Sequence, residues 1–293
     1  MRRIQLGARL RALRQAKGIT RDQAGWVIRA SESKISRMEL GRVSFKERDV
    51  ADLLRLYGIE DPDEHARLLE LTREANAPSW WHTYGDVLDT WLQNYLDLEQ
   101  AAELIRTYEI QFVPGLLQTD AYARAVISLA PNADPEIVER RASLRMARKQ
   151  MLLRPDAPRL WAVLDEAVLR RPIGGRKVLR EQIAALLEAC DSPNVRIQVM
   201  PFDTGGHAAA GGAFSILRFP HEELPDVVYL EHLTSALYLD KPEDVDQYAA
   251  AISRLFIEAE APGWTPAILR AHLARLEADD EKPPSGGGRP PAG

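Results

Sequence analysis

The most informative spacing of functional groups lies in residues 20–41, Thr20-Arg-Asp-Gln-Ala-Gly-Trp-Val-Ile-Arg-Ala-Ser-Glu-Ser-Lys-Ile-Ser-Arg-Met-Glu-Leu-Gly41. When Ile35 and Met38 turn inward on a helix, Glu32, Ser33, Lys34, Ser36 and Arg37 are left facing outward. These short polar or basic groups can reach base edges in a major groove wide enough to admit a helix. Arg37 is a candidate to read a base or to contact a phosphate, and Glu32 can accept from a cytosine amino group. Ser31, Arg21 and Arg42 complete the candidate DNA-contact set, Arg21 as a phosphate ligand. On spacing alone, an ordinary helical hairpin with a solvated charged face remains the alternative.

Two helices must position that set. Thr20 followed by Gln23 has capping-box spacing, so a helix starts there, and Ser31 can cap a second helix in the same way. Ala24, Val27 and Ile28 share a face of the first helix and meet Ile35 and Met38 of the second. Gly25 lies on the inner side, where a missing side chain permits a close, steep crossing.

With those residues in view, the segment resembles the Cro and repressor (Xre) type of helix-turn-helix, with 33–41 as its recognition helix. The resemblance spans roughly residues 6–75 and implies a transcriptional regulator acting on a double-stranded DNA operator. It departs from the family where Arg21 stands in place of a usual Gln and Arg29 in place of a usual turn Gly. Arg29 must therefore adopt a backbone conformation that Gly reaches more cheaply.

The charge distribution points the same way. Residues 1–48 carry 13 Lys or Arg against 4 Asp or Glu, a net of +9, which leaves −14 on the other 245 of the 293 residues. A basic head on an acidic body is the footprint of a chain that touches nucleic acid with one end. Arg9, Arg11, Arg14, Lys17, Lys46 and Arg48 are further phosphate candidates, each with a solvated role as its alternative. The single cysteine, Cys190, precludes an intramolecular disulfide and suggests a reducing compartment. The start lacks the apolar run of a signal peptide, and no apolar stretch reaches membrane-spanning length, so a cytoplasmic protein is expected.

Chain order then gives a mainly α, five-helix helix-turn-helix domain over 1–77. An α+β domain with a small sheet follows over 78–277, and a disordered tail over 278–293. Leu6, Leu10 and Leu13 mark the first helix; Val50, Leu53, Leu54 and Tyr57 the fourth; His65, Leu68, Leu69 and Thr72 the fifth. Asn76-Ala-Pro78 forms the break. Residues 79–113 are dense in aromatics, including Trp80, Trp81, Tyr84, Trp91 and Tyr95, which read as core or as a pocket or interface lining. Helices are expected over 116–127, 136–153, 177–190, 244–260 and 266–276. Strands are expected over 159–165, 195–200, 214–219, 227–231 and 236–239.

Val113-Pro-Gly-Leu-Leu-Gln-Thr119, Leu164-Asp-Glu-Ala-Val-Leu-Arg-Arg171 and Gln198-Val-Met-Pro201 together are similar to an uncharacterised domain common in actinobacterial regulators. That resemblance covers about 85–260 and implies a small partner protein encoded nearby. The basic band of Arg141, Arg145 and Arg148, with Trp80 and Trp81, is the candidate docking surface, against the alternative of ion pairs inside the domain.

No catalytic constellation is visible, and neither a cofactor nor a metal is expected. The glycine-rich loop around His207 joins two strands, the histidines lack ligand spacing, and Asp165-Glu166 reads as a split pair or a helix cap. The leading expectation is a DNA-binding regulator that dimerises on an inverted repeat and whose second domain binds a small partner or effector. An antitoxin-like module that neutralises a partner and autoregulates is the alternative.

Overall fold

The computed structural model describes residues 2–76, 79–131, 133–209, 211–220 and 224–280. Five helices come first: α1 (Arg2–Ala16), α2 (Arg21–Val27), α3 (Glu32–Glu39), α4 (Glu47–Leu56) and α5 (Pro62–Ala75). Their starts follow from side chains. Thr20 and Gln23 form a reciprocal capping box on α2, Ser31 accepts from the Lys34 amide on α3, and Asp61 caps α5 with Pro62 in its first turn. Leu6, Leu10, Ala24, Ile28, Ile35, Met38, Val50, Leu53, Leu54, Tyr57 and Leu68 bury into one core. These are the inward positions that the periodicity assigned.

Two glycines set how closely these helices approach. A Cβ on Gly7 would lie 2.5 Å from the Met38 and Glu39 carbonyl oxygens, so α1 packs backbone to backbone on the end of α3. A Cβ on Gly25 would lie 2.5 Å from the Ala30 oxygen, so it is the turn, rather than α3 itself, that needs the missing side chain.

Beyond the head come α6 (Thr90–Ala101), β1 (Leu104–Glu109), α7 (Asp120–Ile127), α8 (Pro135–Lys149), β2 (Arg159–Asp165), α9 (Glu166–Arg170) and α10 (Arg176–Ala189). They are followed by β3 (Val195–Met200), β4 (Phe214–Arg218), β5 (Val227–Glu231), β6 (Ala236–Leu239), α11 (Pro242–Glu258) and α12 (Thr265–Asp280). The strands form one sheet in the order β3-β2-β1-β4-β5-β6. β2 and β3 run parallel with Leu160 opposite Val195, and β4, β5 and β6 form an antiparallel meander with Tyr229 opposite Tyr238. The five strands fall where they were expected, β4 ending one residue earlier, at Arg218. β1 was not expected, because the aromatic spacing around it reads as helix. Helix 116–127 proves to be a 3-10 turn at Gly115–Leu117 and then α7, with Thr119 as the cap between them.

Contacts divide the chain into two compact units. The first holds residues 1–106, 156–158 and 214–249; the second holds 107–155, 159–213 and 250–293. This grouping cuts across the chain-order division at 77 and 78, because the meander β4–β6 groups with the head and α6. Of the expected break at 76–78, only Asn76 lies among the described residues, and the expected tail lies outside them from 281 on.

In the first unit, the Tyr229 ring packs at a tilt against Tyr95 of α6, with centroids 4.2 Å apart, and against Tyr238 of β6, at 5.2 Å. In the second, the buried Gln198 of β3 accepts from the Trp161 indole and donates to the Phe256 and Glu260 carbonyls, while Thr265 donates to the Ile197 carbonyl. Among the described residues, no helix is long and apolar enough to cross a membrane.

Candidate nucleic-acid interface

The outward face of α3 presents Glu32, Ser33 and Arg37 to solvent, with Lys34 and Ser36 half-buried beside them. Arg37 donates back to the Ser33 carbonyl at 3.3 Å, a single weak tether on an otherwise open face. Lys34 pairs with the buried Asp49 of α4 at 2.9 Å, which holds its ammonium at the rim. Ser31 acts as the α3 cap, its hydroxyl accepting from the Lys34 amide. Trp26, on the outer face of α2, is 83% exposed.

The turn that aims this face is strained. Arg29 has φ +54°, the one non-glycine residue in the left-handed region among those described. The expectation drawn from its type is met: a position suited to Gly is held by Arg.

Beneath α3, Glu39 is only 1% exposed. Both its oxygens take the Arg14 guanidinium of α1, and one also takes Arg21 Nε at 3.1 Å. This ion cluster ties α1, α2 and α3 together. Burial opposes charge on Arg14, but the hydrogen bond and charge of Glu39 outweigh it and raise its pKa.

Arg21 and Arg42 do not face open solvent. Arg21 Nη2 donates to Asp240 at 3.1 Å, Arg11 Nη1 lies 3.8 Å from the same carboxylate, and the Arg42 guanidinium lies 4.1 Å over the Tyr238 ring. Burial pushes the Arg42 pKa down to about 10, with Asp240 and Tyr238 opposing and Arg37 adding to the fall. Burial, then the charge of Arg21, lowers that of Arg11. Arg42 Nε and Nη2 and Arg11 Nη1 are buried without a hydrogen-bond partner. Of the other phosphate candidates, Arg9 pairs with Glu64 at 2.8 Å, while Lys17, Lys46 and Arg48 are exposed.

The residues offered for partner docking are placed differently. Arg145 donates to the buried Gln118 at 2.8 Å, and Lys149 to the Gln118 carbonyl at 3.4 Å. Arg148 lies against Gly115, and Arg141 is half-buried. The band therefore fastens the 113–119 segment, whose Leu117 carbonyl and Thr119 amide are gripped in turn by Gln182 of α10. In the first unit, Trp80 is half-buried, and Trp81 is buried with its indole donating to Asp97 at 3.0 Å.

Several contributors escaped the sequence reading. Asp97 gathers Arg3, Ser79 and Trp81, and the Asn76 side chain pairs with both backbone groups of Phe45, fixing the loop after α3. Asp240 was not singled out, because an Asp after a short strand reads as a turn residue. In the second unit, the Tyr108 hydroxyl lies 2.9 Å from His207 and 3.4 Å from Asp165, which also caps α9 through the Ala167 amide. His221 lies outside the described residues.

Two capped helices at a tight turn, with an open polar face on the second, define a helix-turn-helix DNA-binding regulator. Residues 5–68 match the model of a helix-turn-helix domain. Residues 92–271 match a domain of unknown function, DUF5753, and with more than half its length matched, the chain belongs to that family. Neither the curated proteins nor the solved structures gave a match.

Proposed function

We propose that the protein is a sequence-specific transcriptional regulator that reads its operator with Glu32, Ser33, Ser36 and Arg37. The single observation that carries this reading is the open outward face of α3, held on a core that leaves its polar groups facing solvent. Lys34 and Ser31 act at its rim, the first as a charge and the second as a cap. One short helix offers few base contacts, so specificity comes from a homodimer placing two helices about 34 Å apart on an inverted repeat. Selection of bound genomic fragments should return a two-fold symmetric sequence, and binding should weaken steeply with salt. Enrichment of no sequence would overturn the reading, and a monomer on the selected DNA by sedimentation would remove the dimer.

The second half is expected to act on the head through a small partner or effector. The arginine-rich band of α8 supplies the groups to examine, Arg141 and Arg148 among them, since interfaces favour Arg anchors. Co-expression of the full chain with the small protein encoded beside it should give a stable complex that Arg141→Glu and Arg148→Glu weaken. A complex indifferent to both reversals would move the docking surface elsewhere.

A further inference from the structure

Four arginines of the head, Arg11, Arg14, Arg21 and Arg42, gather around two carboxylates, Glu39 and Asp240. Positive charge is in excess there, and three buried guanidinium nitrogens, on Arg11 and Arg42, have no hydrogen-bond partner. A cluster of cations in excess, short of acceptors, favours one more anion. Two of the four, Arg21 at the start of α2 and Arg42 just beyond α3, flank the open face, and Arg37 is close enough to Arg42 to act on its charge. Asp240 and Tyr238 come from the end of β6, more than 190 residues away in the chain.

We propose that Arg11, Arg21 and Arg42 form a binding site for a DNA backbone phosphate, which Asp240 and Tyr238 fill from within when DNA is absent. The proposal rests on the DNA-binding reading above and adds its regulation. A carboxylate in two ion pairs and an aromatic face under a guanidinium imitate part of what a phosphodiester and its sugar would offer these side chains. DNA must displace the strand end before the arginines can serve it, so the last strand of the sheet sets the affinity of the head. Any event that withdraws β6 then raises DNA affinity without touching α3.

The test uses the full chain and a labelled 30-base-pair duplex of mixed sequence, read by fluorescence anisotropy over a salt series. Asp240→Asn should bind about tenfold more tightly at low salt, with a log–log salt slope steeper by about one to two, as expected for one or two added phosphate contacts. Glu60→Gln, which removes the same charge from an exposed site, controls for net charge and should change neither. In the Asp240→Asn background, Arg21→Ala should undo most of the gain; in the parent chain it should have a smaller effect. Hydrogen exchange on the unaltered protein gives an independent reading, with the amides of 236–240 expected to exchange faster once the duplex is bound. Asp240→Asn matching Glu60→Gln, or 236–240 unchanged or protected on binding, overturns the internal surrogate and leaves DNA binding intact. Absence of binding by every variant, on this duplex and on the selected fragments, overturns the DNA-binding reading itself.

Discussion

The outward face of α3 and the flank where Arg11, Arg21 and Arg42 gather belong to one small domain and contribute the same kind of charge, yet they are opposite in state. On α3, Arg37 keeps one weak bond to its own helix, and Glu32 and Ser33 stand in solvent. On the flank, Asp240 is 9% exposed and every arginine is half-buried. A net of +9 over residues 1–48 describes both regions and distinguishes neither. Position relative to Glu39 of α3 and to Asp240, just after β6, decides which cations are available to a polyanion.

The largest effect should come from the residue that underlies both regions. Glu39→Gln removes the carboxylate shared by Arg14 and Arg21 and leaves the buried Arg14 guanidinium without its counter-ion, which costs about 3 to 5 kcal/mol, while Arg21 keeps Asp240. Urea unfolding of the full chain should show the loss in the transition that melts the head. A shift below about 1 kcal/mol would mean that water reaches the cluster.

A smaller change should fall on the open face alone. Arg37→Ala should lower affinity for the selected operator by about 1 to 3 kcal/mol and relax preference at one base position. Stability should stay within about 0.5 kcal/mol, as for an exposed side chain without buried partners. A uniform loss on all sequences would instead make Arg37 a phosphate contact, like those proposed for the flank.

The smallest effect tests the turn between the two helices. Arg29→Gly should stabilise the head by up to about 1 kcal/mol, since relief of a left-handed conformation outweighs the added freedom of the unfolded chain. Thermal unfolding measures it, and DNA affinity should not change. A lower melting temperature would show that the exposed Arg29 side chain contributes more than its backbone strain removes.

Much of the head was legible because its signals are local. Thr20, Gln23 and Ser31 cap within three residues of themselves, and the inward positions follow a single helical period. The strands 159–165, 195–200, 227–231 and 236–239 were legible for the same reason, since short apolar and β-branched runs, with alternation at 195–200, involve only neighbouring residues. β1 was missed because Tyr108 sits in an aromatic run whose spacing suits a helix. The fate of Arg21 and Arg42 was not legible at all. Their partners Asp240 and Tyr238 lie at the end of a four-residue strand whose proximity depends on sheet order, which no short window of sequence encodes. The motifs of the second half were recognisable, but their work is internal. Gln118, Glu166 and Gln198 satisfy buried groups, receiving Arg145, the Phe202 amide and the Trp161 indole respectively.

The distance between Arg21 and Asp240 along the chain, 219 residues, carries a consequence for how the protein is made. At about 5 to 20 residues per second, Asp240 leaves the ribosome some 10 to 45 s after Arg21. Throughout that interval the nascent head has Glu39 to steady Arg14 and Arg21, but nothing of β6 to cover Arg11 or Arg42. The ion pair with Asp240 is thus a late event of translation. A chain halted before residue 240 would carry the whole helix-turn-helix without the carboxylate that closes its flank.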